Sequence, residues 1–143
     1  MDQQRSILLA VDGSTNAERA TRHAIELVKS GYATGLHLLN VQAPVSGAVT
    51  TFVSRAQITD YQREEGEKGM AGAKRLCGEA GVAYEPHIGV GRAGIVVAEF
   101  CKRLGCSMIV IGTRGHTGFS GALMGSVAQE VVAQASVPIC LVK

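Results

Sequence analysis

Tryptophan is absent from the 143-residue sequence, and aromatic residues make up only 4% of it. Proteins that hold single-stranded nucleic acids stack the bases on aromatic rings and follow the backbone with a basic groove. Here 14 lysines and arginines are interspersed with 12 acidic residues, so the net charge is only +2 and no basic stripe forms. The composition therefore argues against a nucleic-acid partner.

Long apolar runs are also missing. No stretch approaches the roughly 20 apolar residues of a membrane span, and residues 1–5 lack the basic-then-apolar layout of a signal peptide. The four cysteines show neither a C-x-x-C motif nor another metal-ligand spacing. Cys101 and Cys140 fall in apolar runs, which is typical of reduced thiols in a protein core. We expect a cytoplasmic protein that does not bind membranes.

Continuous apolar runs alternate with amphipathic stretches, a pattern typical of a parallel sheet covered by helices. The length predicts a single domain over residues 1–143. Ser14 or Thr15 is the expected N-cap of the first helix, and Gly31 its stop. Right-handed crossovers between the strands predict an open, doubly wound sheet. The predicted elements are strand 7–11, helix 15–30, strand 36–41, helix 57–80, edge strand 82–90, helix 94–104, strand 108–111, helix 126–135 and strand 138–142.

A glycine-rich segment from Gly112 to Ser126 connects the fourth predicted strand to the last helix. Glycine permits positive φ angles and a close approach of the backbone to a ligand. The first N–H groups of the following helix lack intrahelical partners and lie at the positive end of its dipole. The segment therefore predicts an anion site, with phosphate as its usual occupant. Ser126 has an alternative role, because with Gln129 it forms a Ser-x-x-Gln capping box.

The segment is not a P-loop, since it contains no lysine. It instead contains the motif G-x2-G-x9-G-[ST], formed by Gly112, Gly115, Gly125 and Ser126. This spacing resembles the ATP-binding branch of the universal stress protein family. The resemblance covers nearly the whole chain, including residues 7–14, 36–41, 108–112 and 137–142. It implies a five-stranded parallel sheet of order 3-2-1-4-5 with helices on both faces, bound ATP with Mg²⁺, and a homodimer.

The implied strand order places the ends of strands one and four together, at the crevice where open α/β sheets bind ligands. By resemblance, Asp12 and Val41 contact the nucleoside, and the motif residues surround the ribose and phosphates. Arg114 and His116 either neutralise phosphate charge or are solvated. Asp12 has an alternative role in an Asx turn that caps the first helix. The nucleotide site that follows from the resemblance comprises Ala10, Val11, Asp12, Val41, Gly112, Arg114, Gly115, His116, Gly125, Ser126 and Val127.

Two other patterns are interpreted as structural. Residues 89–94 read G-x-G-x-x-G, but this motif follows the edge strand, and no acidic residue stands about twenty positions on to hold a ribose. We interpret its glycines as a tight turn with close helix packing. The four histidines are scattered in sequence, so we interpret His37 and His87 as structural strand residues and predict no metal site.

The first functional hypothesis is a nucleotide-sensing regulatory module of the stress response that binds ATP and hydrolyses it slowly or not at all. The alternatives are a genuine ATPase or nucleotidyl transferase, and a stress-response interaction protein without bound nucleotide. The glycine segment has neither a lysine nor a pair of carboxylates, which favours the first and leaves no catalytic residue to name. The uncharged edge strand 138–142 favours covering by the same strand of a second copy. Any further protein partner stays unidentified.

Overall fold

The computed structural model describes residues 4–115 and 124–143. Five strands form a fully parallel sheet of order β3-β2-β1-β4-β5, as predicted. The strands are β1 (Ser6–Ala10), β2 (Gly35–Gln42), β3 (Glu85–Val90), β4 (Met108–Gly112) and β5 (Ile139–Val142). The helices are α1 (Thr15–Lys29), α2 (Gly47–Thr50), α3 (Arg55–Ala80), α4 (Ala93–Leu104) and α5 (Ser126–Gln134).

Helices cover both faces of the sheet, and each face has its own hydrophobic core. Ile7 and Leu9 of β1 point to the face covered by α1 and α3. Leu8, between them, points to the face covered by α4 and α5. All three side chains are fully buried, and burial of such a side chain is worth about 1.5–3 kcal/mol. The continuous apolar runs in the sequence thus reflect strands that are buried on both sides.

The strand β3 is shorter than predicted and begins at Glu85, not at Val82. The Val82 amide donates to the carbonyl of Cys77 at 2.9 Å, so it closes the end of α3 and does not pair with β2. Gly81 supplies the left-handed turn at that helix end, with φ of 70°. The position of β3 at one edge of the sheet is as predicted, and Pro86 lies within it.

The predicted loop between residues 42 and 56 contains the short helix α2, and α3 starts two residues earlier than expected. A capping box explains the earlier start: Ser54 accepts from the Gln57 amide at 3.1 Å, and the Gln57 side chain accepts from the Ser54 amide at 2.8 Å. Two glycines of α3 bring that helix close to the sheet. A Cβ on Gly66 would stand 2.7 Å from the Ile88 side chain, and one on Gly69 would collide with Asn40.

The motif at residues 89–94 has the structural role that the sequence suggests. Gly91 has a φ of 145°, and a Cβ on Gly89 would stand 2.7 Å from Val96. A Cβ on Gly94 would stand 2.5 Å from Glu130 of α5. These glycines therefore form a turn and allow α4 to pack closely on its neighbours. Within residues 4–115 and 124–143, no helix combines the length and the apolar character that crossing a bilayer requires.

Candidate functional site

A cavity of about 300 Å³ lies at the carboxyl ends of β1 and β4, on the sheet face that α4 and α5 cover. This volume is at the lower end of the range for small-molecule sites, about 300–1,000 Å³. The two strands are neighbours in the sheet, with Ala10 opposite Ile111. The cavity therefore lies at the topological switch point of the sheet, between β1 and β4, where the strand order reverses.

Ten of the eleven residues of the predicted nucleotide site line this cavity, and His116 lies outside the described residues. The ten are Ala10, Val11, Asp12, Val41, Gly112, Arg114, Gly115, Gly125, Ser126 and Val127. Residues from β1, from β2, from the segment after β4 and from the start of α5 thus meet at one place. Four further residues form an apolar wall of the cavity: Leu39, Ala93, Val97 and Ile111. Among the described lining residues, only Asp12 and Arg114 are charged.

Asp12 follows β1 directly and makes the Asx turn that the sequence left as an alternative. Its Oδ1 accepts from the Ser14 amide at 2.9 Å. Ser14 is the N-cap of α1, and its hydroxyl accepts from the Ala17 amide at 3.1 Å. The other carboxylate oxygen lies against the glycine segment, because a Cβ on Gly115 would stand 2.7 Å from Asp12 Oδ2. Asp12 therefore starts α1 and also borders the cavity.

None of the three motif glycines has a positive φ, which corrects one sequence expectation; Gly112 and Gly115 instead leave space that a Cβ would fill, and Gly125 is tightly packed. Positive φ occurs at Gly13 and at four other described glycines, but at none of Gly112, Gly115 and Gly125. A Cβ on Gly112 would stand 2.7 Å from Asn16 Oδ1, and one on Gly125 would stand 3.3 Å from the Thr113 carbonyl oxygen. Each motif glycine thus leaves room for a polar group of the site itself.

The helix α5 begins differently from the predicted capping box. Its N-cap is Gly125, and Ser126 is already the first helical residue. The Gln129 side chain does not reach back to the Ser126 amide but donates to the Met124 carbonyl at 2.8 Å. The Gly125 amide donates to the Thr113 carbonyl at 2.5 Å, which holds the start of α5 against the end of β4.

Because glycine has no side chain to cap a helix, the first N–H groups of α5 receive no side-chain cap. The residues that carry these amides, Ser126, Val127 and Ala128, line the cavity. The site therefore offers backbone donors and the positive end of a helix dipole at one side, and an apolar wall at the other. It can hold a ligand that is apolar at one end and anionic at the other.

Asn16, which the sequence analysis did not single out, connects three parts of the site. Its side chain is buried on the first turn of α1. The amide nitrogen donates to the Val142 carbonyl at 3.0 Å, and Oδ1 accepts from the Arg114 backbone amide at 2.7 Å. It thereby fixes the backbone that leads into Gly115. Its partners are 98 and 126 residues away in sequence, so no local pattern could reveal the role.

A second buried amide, that of Asn40, fixes the end of β1. Its nitrogen donates to the Val11 carbonyl at 2.9 Å, and its oxygen accepts from the Gln42 side chain at 2.7 Å. The missing Cβ of Gly69 makes room for this side chain beneath α3. Asn40 was visible in the sequence as a polar residue within the strand, but its partner, the Val11 carbonyl, was not.

Away from the cavity, His37 and His87 are strand residues of β2 and β3, as interpreted from the sequence. Their ring nitrogens are 2.9 Å from each other, a contact that the sequence did not predict. The carboxylate of Glu85 lies 3.7 Å from His37 Nδ1 and 3.9 Å from His87 Nε2. This group of three polar side chains lies near the amino ends of the strands, at the opposite end from the cavity.

Comparison with known proteins gives consistent matches over the full length. The model of the universal stress protein family matches residues 4–143. The chain is 29% identical to a universal stress protein of Methanocaldococcus jannaschii, over 97% of this chain and 82% of that protein.

Solved structures share the fold. The universal stress protein UspA from Lactobacillus plantarum superposes with a TM-score of 0.81 at 18% identity, covering 100% of both chains. A universal stress protein from Archaeoglobus fulgidus in complex with dAMP gives 0.68 at 23% identity, also over 100% of both chains. A family protein from Arabidopsis thaliana with AMP bound gives 0.67 at 23% identity, over 97% of this chain and 91% of that one.

Proposed function

We propose that this chain, which belongs to the universal stress protein family, binds ATP in the cavity between β1, β4 and α5 and acts as a nucleotide-sensing regulatory module of the stress response. One observation carries the proposal: an apolar wall and an uncapped helix N-terminus border the same cavity. A nucleotide has this division between a base and a phosphate chain. The AMP and dAMP bound by two structural neighbours support an adenine nucleotide.

In this proposal the base lies against the apolar wall, near Val41, Ala10 and Val11. The phosphates lie at Gly112, Gly115 and the start of α5, at Gly125, Ser126 and Val127. Arg114 and His116 are the proposed cationic contacts to the phosphates.

Mg²⁺ would bind together with the phosphates, because it is a hard cation that prefers oxygen ligands. Asp12 is the acidic residue among the described lining residues that offers such an oxygen. With Mg²⁺ bound there, the ion would neutralise part of the phosphate charge.

The binding of ATP is tested by denaturing freshly purified protein and identifying the released nucleotide by its mass and ultraviolet spectrum. Calorimetry on nucleotide-free protein should then show tighter binding of ATP than of AMP, because only ATP reaches all the backbone donors of the site. Equal affinities would contradict the assignment of α5 to the phosphates. Failure to release or bind any nucleotide would favour the interaction-protein alternative.

We expect ATP hydrolysis to be slow, with a turnover far below the ~1 s⁻¹ at the lower end for kinases. Fast phosphoryl transfer needs a positioned nucleophile and cations that stabilise the charge developing on the transferred group. Among the described lining residues, only Arg114 supplies a positive charge. Backbone amides that bind the ground state and the transition state equally do not raise turnover.

Phosphate release at saturating ATP and Mg²⁺ measures this turnover. A rate above ~1 s⁻¹ that disappears in Asp12→Ala or His116→Ala would establish the ATPase alternative, since kinases start at about that rate.

We further propose a homodimer through strand 138–142. In the structure β5 is an edge strand, and Leu141 on it is 37% exposed. An uncharged apolar edge invites pairing with another strand, and a symmetric copy supplies one. Leu141→Lys should therefore yield a monomer, whereas Val90→Lys, a matched change on the opposite edge strand β3, should leave the dimer intact. Light scattering at micromolar concentration distinguishes the two, and a monomeric unmodified protein would exclude the dimer.

We place the protein in the reducing cytoplasm. All four cysteines are free thiols, and three of them are buried. Burial raises the pKa of Cys77 to about 11, which keeps this thiol protonated and unreactive near neutral pH. Such thiols are typical of proteins that are not exposed to oxidising compartments.

A further inference from the structure

Outside the nucleotide cavity, the strongest constellation of chemically capable side chains is the group of His37, Glu85 and His87, which we term the β2–β3 cluster. One nitrogen of each imidazole and a carboxylate oxygen all lie within 4.8 Å of one another. Within residues 4–115 and 124–143, no other three histidine, cysteine or acidic side chains come together in this way.

The sheet itself brings the three residues together. In the parallel pairing of β2 with β3, Glu85 lies opposite His37, and His87 lies opposite Leu39. Glu85 and His87 are two residues apart in one strand, so their side chains leave the sheet on the same face. Two strands 50 residues apart in sequence therefore present all three side chains at one spot.

The two imidazoles are held in place from the α4 side. His87 packs against the Phe100 ring, with 5.8 Å between ring centroids, and the His37 and His87 rings lie 5.1 Å apart. Their side chains are only 15% and 16% exposed, whereas Glu85 is 66% exposed. The cluster thus has two preoriented, largely buried nitrogen ligands and one exposed oxygen ligand at the solvent side.

These distances fit a single metal ion. In a tetrahedral zinc site with metal–ligand bonds of about 2.0–2.1 Å, neighbouring ligand atoms are about 3.3–3.4 Å apart. In the structure the nitrogen pair is 2.9 Å apart, and the carboxylate oxygens are 3.7 and 3.9 Å from the two nitrogens. Shifts of about half an ångström, mostly of the exposed Glu85, would bring all three ligand atoms to this spacing.

We propose that the β2–β3 cluster is a binding site for one divalent transition-metal ion of the zinc class, held by His37 Nδ1, His87 Nε2 and a Glu85 carboxylate oxygen. Imidazole and carboxylate ligands suit Zn²⁺, Cu²⁺ and Ni²⁺. Three protein ligands leave a fourth position for water.

The site is separate from the nucleotide cavity. Val41, which lines the cavity, is four residues beyond His37 on the same strand and on the same face, which corresponds to about 13 Å. Metal binding at the cluster and ATP binding at the cavity are therefore measurable independently of each other. The cluster does not rest on the proposed nucleotide function.

Titration of metal- and nucleotide-free protein with Zn²⁺ in a calorimeter tests the site. We expect one ion per chain. His37→Ala and His87→Ala should each weaken binding more than the about 10- to 100-fold that loss of a supporting outer-shell partner costs. Glu85→Gln should weaken it less, because both nitrogen ligands remain. His23→Ala is the matched control, because His23 lies outside the β2–β3 cluster, 4.0 Å from Glu26. This variant should bind Zn²⁺ as the unmodified protein does.

Circular dichroism and the midpoint of thermal unfolding, compared with those of the unmodified protein, show whether each variant is folded. The exposed Glu85→Gln remains informative even if a buried histidine variant fails to fold. X-ray absorption of the zinc complex should show only nitrogen and oxygen ligands. The proposal would be overturned by absence of Zn²⁺ binding, by binding unchanged in His37→Ala, His87→Ala or Glu85→Gln, or by a sulfur ligand in the absorption spectrum. In those cases the 2.9 Å contact is only a hydrogen bond between the two rings.

Discussion

Replacing Gly115 with valine should weaken ATP binding by more than about 100-fold, or about 2.7 kcal/mol. A Cβ at this position would stand 2.7 Å from Asp12 Oδ2, closer than packed atoms tolerate. Either the Asp12 carboxylate or the segment after β4 must then shift, and both border the proposed phosphate site. The two methyl groups of valine add further bulk beyond this Cβ, at a residue that lines the cavity.

The fold should survive this change, because Gly115 lies outside the strands and helices and is only half-buried. Gly47→Val is the matched control: it adds the same side chain at a glycine whose Cβ would meet no atom within 4 Å. Calorimetry should show unchanged ATP affinity in Gly47→Val and a severe loss in Gly115→Val. An unchanged affinity in folded Gly115→Val would refute the proposed role of the glycine segment.

Much of the fold could be predicted from local patterns. Strands buried on both faces, such as β1 with Ile7, Leu8 and Leu9, appear as short apolar runs. Amphipathic segments between them then identify the helices. The boundaries that failed were those decided by competing hydrogen bonds. The Val82 amide donates to the last turn of α3 and therefore does not pair in β3. The capping box of Ser54 and Gln57 makes α3 begin two residues before its predicted start.

The strand order and the place of the site came from the family resemblance and from the spacing of Gly112, Gly115, Gly125 and Ser126. The structure brings these residues to one cavity with Asp12. The reason for the glycines was not predictable, because the groups that exclude a Cβ come from distant segments. Asn16 faces Gly112 across 96 positions of sequence, and Asp12 faces Gly115.

The contacts that hold the site together were the least predictable part. Ser126 and Gln129 have the spacing of a capping box, yet Gly125 is the N-cap, because its amide is anchored to Thr113 at the end of β4. His37 and His87 likewise looked unrelated, since only the pairing of β2 with β3 makes them neighbours. In each case the contact is determined by a tertiary hydrogen bond or by the strand register, and the local sequence does not specify it.

The second large effect is expected at Asn16. Asn16→Ala removes the acceptor for the Arg114 amide and one donor to the Val142 carbonyl. The carbonyl keeps the Thr113 amide as a partner at 2.9 Å, so the main loss is at Arg114. We expect the free energy of unfolding to fall by about 1–3 kcal/mol, the usual cost of leaving a partly buried polar group unsatisfied. Chemical denaturation measures it, with the exposed Thr15→Ala as a control that should change it by less than about 0.5 kcal/mol.

The same variant should also bind ATP more weakly, because Asn16 fixes the backbone immediately before Gly115. Asn16→Asp separates the two contacts of the side chain. It keeps an oxygen to accept from Arg114, but it places a second oxygen 3.0 Å from the Val142 carbonyl, where the amide had donated. Stability should therefore fall in both variants. If ATP affinity stays unchanged in Asn16→Ala while stability falls, Asn16 only ties α1 to the end of β5, and the glycine segment keeps its position without it.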